Sequence, residues 1–144
     1  EIVVVGDCGN NKYCWSLIIN WREVNYSDQY DSPSRLFNYI ALNNSKTRFY
    51  VTVPTTNYLH CFNMEGKKQY TYSSDNLQRP LGVAVNTDDN IYVVGYDSHN
   101  IHQLSPEGCL IQVITTGVPQ YPWAICFYNS SDTFVITNNS KQCQ

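Results

Sequence analysis

The chain repeats itself at an offset of 42 residues, and this self-similarity is the strongest constraint on its fold. The run Tyr-Val-Val at 92–94 is matched by Tyr-Val-Thr at 50–52 and by Phe-Val-Ile at 134–136. A Glu-Gly pair at 107–108 likewise matches one at 65–66. Because separate points match at one offset, they indicate a structural unit that recurs along the chain.

Each period divides into four strand-like segments. In the best-defined copy, strand a (81–86) is apolar and small, and strand b (91–95) is a continuous apolar run. Strand c (101–104) alternates apolar and polar residues, and strand d (110–115) closes the unit. The turn between strands c and d ends in Gly66 or Gly108, where we expect positive φ. A four-stranded unit of about 40–45 residues is the blade of a β-propeller.

We therefore predict an all-β fold, a partial β-propeller of four-stranded antiparallel blades across residues 1–144. The segments give strands b–d at 1–30, blades at 37–73 and 81–115, and strands a and b of a further blade at 122–139. Propellers have about four to eight blades, so we expect these roughly three blades to be part of a six-bladed ring. The sequence begins inside a strand without an initiator Met. We expect further blades or a second copy to cover the exposed sheet edges.

Residues 80–108 carry a family likeness. They read Pro-Leu-Gly-Val-Ala-Val at 80–85, Asn-Ile-Tyr-Val-Val at 90–94 and Asn-Ile-His-Gln-Leu-Ser-Pro-Glu-Gly at 100–108. This pattern closely resembles an NHL repeat, although Gly-Tyr stands at 95–96 where the family often has Ala-Asp. Residues 96–114 are most similar to the C-terminal propeller of tripartite-motif proteins, in which a RING, B-boxes and a coiled coil precede the propeller. The resemblance implies that the parent is a ubiquitin ligase and that this segment recruits its substrate.

The resemblance also places partner binding on the face formed by the b–c and d–a loops. Exposed aromatic side chains and arginines are the residue types that anchor interfaces. The alternative is that Tyr121 and Trp123 pack between blades and only orient a loop. We predict that a protein partner contacts Tyr96, Asp97, His99, Asn100, Asn57, Tyr58, Arg79, Tyr121 and Trp123.

The charge balance favours a protein over nucleic acid as the partner. The chain has 9 basic and 12 acidic residues, a net charge of −3, and its basic residues are dispersed apart from Lys67 and Lys68. A phosphate-binding surface needs clustered Lys and Arg. RNA binding through the same face is therefore the less favoured alternative. No apolar run approaches the roughly 18 residues that span a bilayer, so we expect no membrane association.

A third alternative is a metal-dependent lyase or hydrolase propeller. Such a site needs several carboxylates or histidines converging from different blades. Asp7, Asp97 and Asn138 lie near the ends of b strands, but at positions that are not equivalent. His60 and His102 are equivalent on strand c, and we expect both to be buried and hydrogen-bonded. No G-x-S-x-G, Walker A or H-E-x-x-H motif occurs. We therefore predict no catalytic residue, cofactor or metal in this segment.

Six cysteines, at positions 8, 14, 61, 109, 126 and 143, bear on the compartment. The even count and four N-x-S/T sequons, at Asn25, Asn43, Asn129 and Asn138, would suit a disulfide-bonded secreted protein. However, Cys61, Cys109 and Cys126 fall in strand-like runs, where a free cysteine acts as a small hydrophobe. We expect reduced thiols and a cytoplasmic protein. In the oxidised alternative, Cys8 and Cys14 are the pair that would be bridged.

Overall fold

The computed structural model describes residues 2–7, 13–19, 22–28, 39–128 and 133–139, the first three ranges as strand backbone. Every regular element in these residues is a β-strand, and all pairings are antiparallel, which confirms the all-β prediction. The described residues include no helix that is long and apolar enough to cross a membrane. A first sheet contains β1 (Ile2–Asp7), β2 (Tyr13–Ile19) and β3 (Arg22–Asp28), in that order.

Two four-stranded sheets and one two-stranded sheet follow, here termed blade 1, blade 2 and partial blade 3. Blade 1 contains β4 (Ile40–Leu42), β5 (Arg48–Val53), β6 (Tyr58–Asn63) and β7 (Lys68–Tyr72). Blade 2 contains β8 (Pro80–Val85), β9 (Ile91–Gly95), β10 (Asn100–Leu104) and β11 (Leu110–Ile114). Partial blade 3 contains β12 (Pro122–Phe127) and β13 (Phe134–Asn138). Consecutive strands are neighbours in each sheet, so the order a–b–c–d matches the sequence periods.

Strand b and strand c of blade 2 are both fully buried. Every residue of β9 is buried, as its continuous apolar run suggests. The alternating β10 is buried throughout as well, including the polar His102 and Gln103. Strand c therefore has no solvent face, because neighbouring blades cover both sides of it.

The turns follow the chemistry of their residues. Gly66 and Gly108 have φ of 80° and 85°, which confirms the expected positive φ in the c–d turns. The a–b turns are organised by asparagines that the chain buries. Asn43 Oδ1 accepts hydrogen bonds from the backbone N–H groups of Thr47 and Arg48 at 2.9 Å. Asn86 Oδ1 accepts from the N–H of Asn90 at 2.9 Å, so the same turn is built in both blades.

The hydrophobic core lies between the blades, in two layers termed joint 1 and joint 2. Joint 1 fills the space between blades 1 and 2, and joint 2 lies between blade 2 and partial blade 3. The buried residues of joint 1 are Tyr50, Leu59, Cys61, Tyr72, Leu77, Val83, Ile91, Val93 and Leu104. Those of joint 2 are Ala84, Tyr92, Val94, Ile101 and Ile125. Fully burying one Leu or Ile side chain contributes roughly 2 kcal/mol, so these layers hold the blades together.

Gly82 lets the first strands of blades 2 and 3 approach each other at the backbone. A Cβ at this position would lie 2.8 Å from the Cα of Ala124 and 2.9 Å from the backbone nitrogen of Ile125. Those distances are too short for a carbon contact. The glycine of the Pro-Leu-Gly-Val motif is therefore required by packing between strands.

The cysteine prediction holds in part. Cys61 is buried and free, as expected for a small hydrophobe. Cys109 and Cys126 are also free, but both are exposed, so the expectation that they act as small hydrophobes is wrong for these two. Cys109 lies at the end of the c–d turn and Cys126 is on a face of β12 that blade 2 does not cover. Cys8 is outside the described residues, so the alternative of a Cys8–Cys14 bridge falls outside them as well.

A candidate binding face built from b–c and d–a loops

The b–c turns and the d–a loops lie at the same end of the blades, because consecutive strands are antiparallel. This loop face consists of the b–c turns 54–57 and 96–99 and the d–a loops 73–79 and 115–121. Each d–a loop leads from the outermost strand of one blade to the first strand of the next. The loop face is therefore where side chains from successive blades can meet.

At joint 1, the side chain of Asn57 fixes the end of the d–a loop. Asn57 Oδ1 accepts a hydrogen bond from the backbone N–H of Arg79 at 2.7 Å, and Asn57 Nδ2 donates to Gln78 Oε1 at 2.9 Å. Both Asn57 (φ 59°) and Arg79 (φ 52°) have left-handed backbone conformations. A left-handed backbone conformation is unfavourable for residues other than glycine. The hydrogen bond from Arg79 to Asn57 therefore stabilises a conformation that the chain would otherwise avoid. We term this contact the Asn57 latch.

At joint 2, a histidine makes the same contact 42 residues later. The backbone N–H of Tyr121 donates to His99 Nδ1 at 3.1 Å. His99 and Tyr121 both have φ of 52°, the same left-handed region that Asn57 and Arg79 occupy. Arg79 and Tyr121 each precede the proline that begins the next blade. We term this second contact the His99 latch.

Further hydrogen bonds tie the b–c end of blade 2 to the d–a loop 73–79. The N–H of Tyr96 donates to the carbonyl of Arg79 at 3.1 Å, and the N–H of Asp97 donates to the carbonyl of Gln78 at 3.2 Å. Asn100 Nδ2 donates to the carbonyl of Asn76 at 2.7 Å. These bonds hold the loops in one arrangement before any partner arrives.

An arginine and four aromatic or imidazole rings meet on this frame, from the two d–a loops, the b–c turn of blade 2 and β12. The Arg79 guanidinium carbon lies 4.9 Å from the centre of the Tyr96 ring. The Tyr96 ring centre is 5.3 Å from that of Tyr121 and 5.7 Å from that of Trp123. The rings of Tyr121 and His99 are 4.6 Å apart and perpendicular. We term Arg79, Tyr96, His99, Tyr121 and Trp123 the loop-face cluster.

The structure brings most, but not all, of the predicted site residues together. Asp97 is exposed in the turn next to Tyr96, and Asn57 lies in its latch at joint 1. Asn100 is only 5% exposed and bonds Asn76 and Ser98, so it supports the loops from beneath. The half-buried Tyr58 ring contacts His60 at 5.8 Å within strand c, and it is not in contact with the cluster.

Leu77 is a site residue that the sequence interpretation missed. Its side chain is fully buried in joint 1, and it anchors the d–a loop 73–79 to the core. The signal was present, because Leu77 is the one apolar residue in an otherwise polar loop. An isolated apolar residue in a polar loop indicates a packed anchor.

The repeated histidines are hydrogen-bonded within the blades. His60 Nδ1 is 2.8 Å from Thr71 Oγ1, and His102 Nδ1 is 2.7 Å from the Tyr72 hydroxyl. Burial lowers the pKa of His102 below its usual value, which favours the neutral ring. In the part of the chain that the structure describes, no three His, Cys, Asp or Glu side chains form a group that could hold a metal ion.

No protein-family model and no curated protein match the chain. Solved structures do match it. A protein of unknown function from Desulfotomaculum acetoxidans aligns with a TM-score of 0.73 at 14% identity, over 97% of this chain and 46% of that one. Virginiamycin B lyase from Staphylococcus aureus aligns with a TM-score of 0.58 at 16% identity, over 85% of this chain and 43% of that one. Hydrazine synthase from Kuenenia stuttgartiensis aligns with a TM-score of 0.63 at 14% identity, over 76% of this chain and 32% of that one.

These matches show the fold. The chain is part of a β-propeller, as its 42-residue repeat predicts. It spans less than half the length of each of these proteins.

Proposed function

We propose that the loop face binds a protein partner and that this segment recruits substrate for a ubiquitin ligase of the tripartite-motif class. The loop-face cluster is the observation that carries the binding proposal. Tyr121 is 42% exposed in this cluster, and the Arg79 guanidinium lies over the Tyr96 ring. Aromatic and arginine side chains held rigidly in this way are the usual anchors of protein interfaces.

The fixed arrangement of the loops in the loop face supports the same proposal. The two latches and the loop-to-loop backbone bonds fix the chain at Arg79 and Tyr121, which carry two of the anchors. A partner that docks there does not have to order these loops, and the free energy that ordering would cost is retained as affinity. Trp123 packs against Tyr96 and acts as the support of the cluster.

The charge of the loop face favours a protein partner over RNA. Its charged side chains in the described loops are Arg79, Asp75 and Asp97, one basic against two acidic. A surface that binds phosphates needs an excess of basic groups. The ligase part of the proposal comes from the similarity of residues 96–114 to the C-terminal propeller of tripartite-motif proteins, and a RING and coiled coil upstream in the reading frame are its test.

Substitution of the exposed anchors tests the binding proposal. The chain and its Tyr121→Ala and Arg79→Ala variants are used as bait, and bound proteins are quantified by mass spectrometry. Truncating an interface anchor costs about 2 kcal/mol or more, so we expect at least one partner to be retained about 30-fold less by both variants. Glu107→Ala is the control, because Glu107 is exposed in a c–d turn at the opposite end of the blades.

Two outcomes would contradict the proposal. One is that every bound protein is retained equally by the loop-face variants and the Glu107→Ala control. The other is that the retained material is RNA, with binding that falls steeply as salt rises, which would favour the nucleic-acid alternative.

A further inference from the structure

The two latches differ in one chemical respect: the Asn57 acceptor is an amide oxygen, whereas the His99 acceptor is an imidazole nitrogen. Both receive a backbone N–H, at 2.7 Å in the Asn57 latch and at 3.1 Å in the His99 latch. An amide oxygen accepts at every pH at which a protein is folded. An imidazole nitrogen accepts only while it carries no proton.

We propose that the His99 latch is a pH-dependent switch that opens joint 2 at the loop face in mild acid. Histidine is the side chain whose charge ordinarily changes between pH 5 and 8. The donor is a backbone N–H, which cannot reverse its role. Protonation at His99 Nδ1 would therefore place two donors opposite each other, and the hydrogen bond from Tyr121 would be lost.

The direction of the pH effect follows from the protonation of His99 in the closed and open states of the latch. The closed latch requires a neutral ring with its proton on Nε2, and the open latch accepts a second proton freely. A fall in pH therefore increases the open fraction, and a rise in pH restores the closed one. Opening removes the bond that supports the left-handed backbone at Tyr121. The Tyr121 side chain is then free to leave its place against Tyr96.

Two charged residues lie in the same turn or the same cluster as His99. Asp97 is in the same turn as His99. Arg79 lies across the Tyr96 ring in the same cluster. Loop 115–121, which is packed against His99, has no charged residue, and neither do the described residues 133–139. The perpendicular Tyr121 ring, 4.6 Å away, can attract an imidazolium ring.

Loss of the latch has a consequence for binding, which rests on the function proposed above. An open joint 2 would displace Tyr121 while Arg79 stays fixed by Asn57. A partner that uses both anchors would then bind more weakly in mild acid than at neutral pH.

NMR of the free chain tests the latch without any partner, so its result is separate from that of the binding experiment. A scalar coupling across the N–H···N bond between Tyr121 and His99 reports the latch directly, and imidazole nitrogen shifts report protonation. We expect the coupling at pH 7.5 and its loss at pH 5, with a fall of about fivefold in protection of the Tyr121 amide. The Arg79 amide should keep its protection throughout.

Two variants serve as matched controls. His99→Asn copies the acceptor of the first latch and should protect the Tyr121 amide equally at both pH values. Asn57→His should transfer the pH dependence to the Arg79 amide. The proposal is overturned if Tyr121 stays equally protected while the His99 ring is protonated at pH 5. It is equally overturned if the ring stays neutral down to that pH.

Discussion

Joint 1 and joint 2 connect equivalent surfaces of successive blades, but different side chains hold them together. Joint 1 is cross-linked by polar groups: the Tyr72 hydroxyl bonds His102 Nδ1 at 2.7 Å. The Tyr70 hydroxyl also donates to the carbonyl of Pro106 at 3.0 Å. Joint 2 relies on rings, with Tyr92 at 4.9 Å from Phe127 and 5.8 Å from Phe134. The repeat therefore fixes the backbone frame and leaves the chemistry of each joint free to differ.

The two joints differ most in how the core anchors their d–a loops. The d–a loop of joint 1 is anchored by the fully buried Leu77, whereas that of joint 2 has the half-buried Val118. The second loop is therefore less firmly held by the core and depends more on its latch. We expect the two joints to respond unequally to matched truncations.

Leu77→Ala should have the largest effect on the free energy of unfolding. It removes a fully buried side chain and leaves a cavity, at a cost of about 2–5 kcal/mol. Val118→Ala removes two methyl groups from a partly exposed position and should cost about 1 kcal/mol. Chemical denaturation of both variants measures the difference, and equal losses would show that the two loops are anchored alike.

Gly82→Ala tests the close approach of strands at joint 2. The new methyl group meets backbone atoms of Trp123, Ala124 and Ile125 at 2.8–2.9 Å, and backbone cannot move aside as a flexible side chain can. We expect a loss of about 1–3 kcal/mol from overpacking, measured by chemical denaturation.

Gly117→Ala is the comparison for Gly82→Ala. Gly117 has φ of 76°, and no described atom lies within 4 Å of the place that a methyl group would take. This variant should therefore show backbone strain alone, about 1 kcal/mol. If Gly82→Ala costs less than Gly117→Ala, the two strands are further apart than the structure shows.

The smallest expected effect is the pH dependence that His102 gives to joint 1. Burial lowers the pKa of His102 from its usual 6.5, so the unfolded chain binds this proton more readily than the folded one. Stability should therefore fall as pH drops below about 6.5. His102→Gln should flatten that dependence when both proteins carry His99→Asn, and an unchanged slope would exclude His102 as its source.

The sequence predicted the strand order well, because the period, the apolar runs and the turn residues all indicate the same unit. Strand ends differed by one or two residues. β8 begins at Pro80, one residue before the predicted strand at 81–86, since a first strand residue can lack an N–H. Boundaries of this kind depend on pairing with another strand, which the local sequence does not specify.

The candidate site was predicted less completely. The family resemblance placed Tyr96, Arg79 and Tyr121 on one face, but it could not show which way each side chain points. Asn100 and Tyr58 follow the loops in sequence, yet the first is buried and the second turns along strand c. The latches were not predicted at all. Each joins residues 22 apart through a left-handed backbone conformation, which neither residue type signals alone.

Site-specific photo-cross-linking tests the central claim most directly. A photoreactive phenylalanine analogue replaces Tyr121 on the loop face or Tyr128, which is 65% exposed at the opposite end of the blades. The loop-face proposal predicts a discrete protein adduct from position 121 that is absent from position 128. Adducts of the same protein in equal yield from both positions, or from position 128 alone, would contradict it.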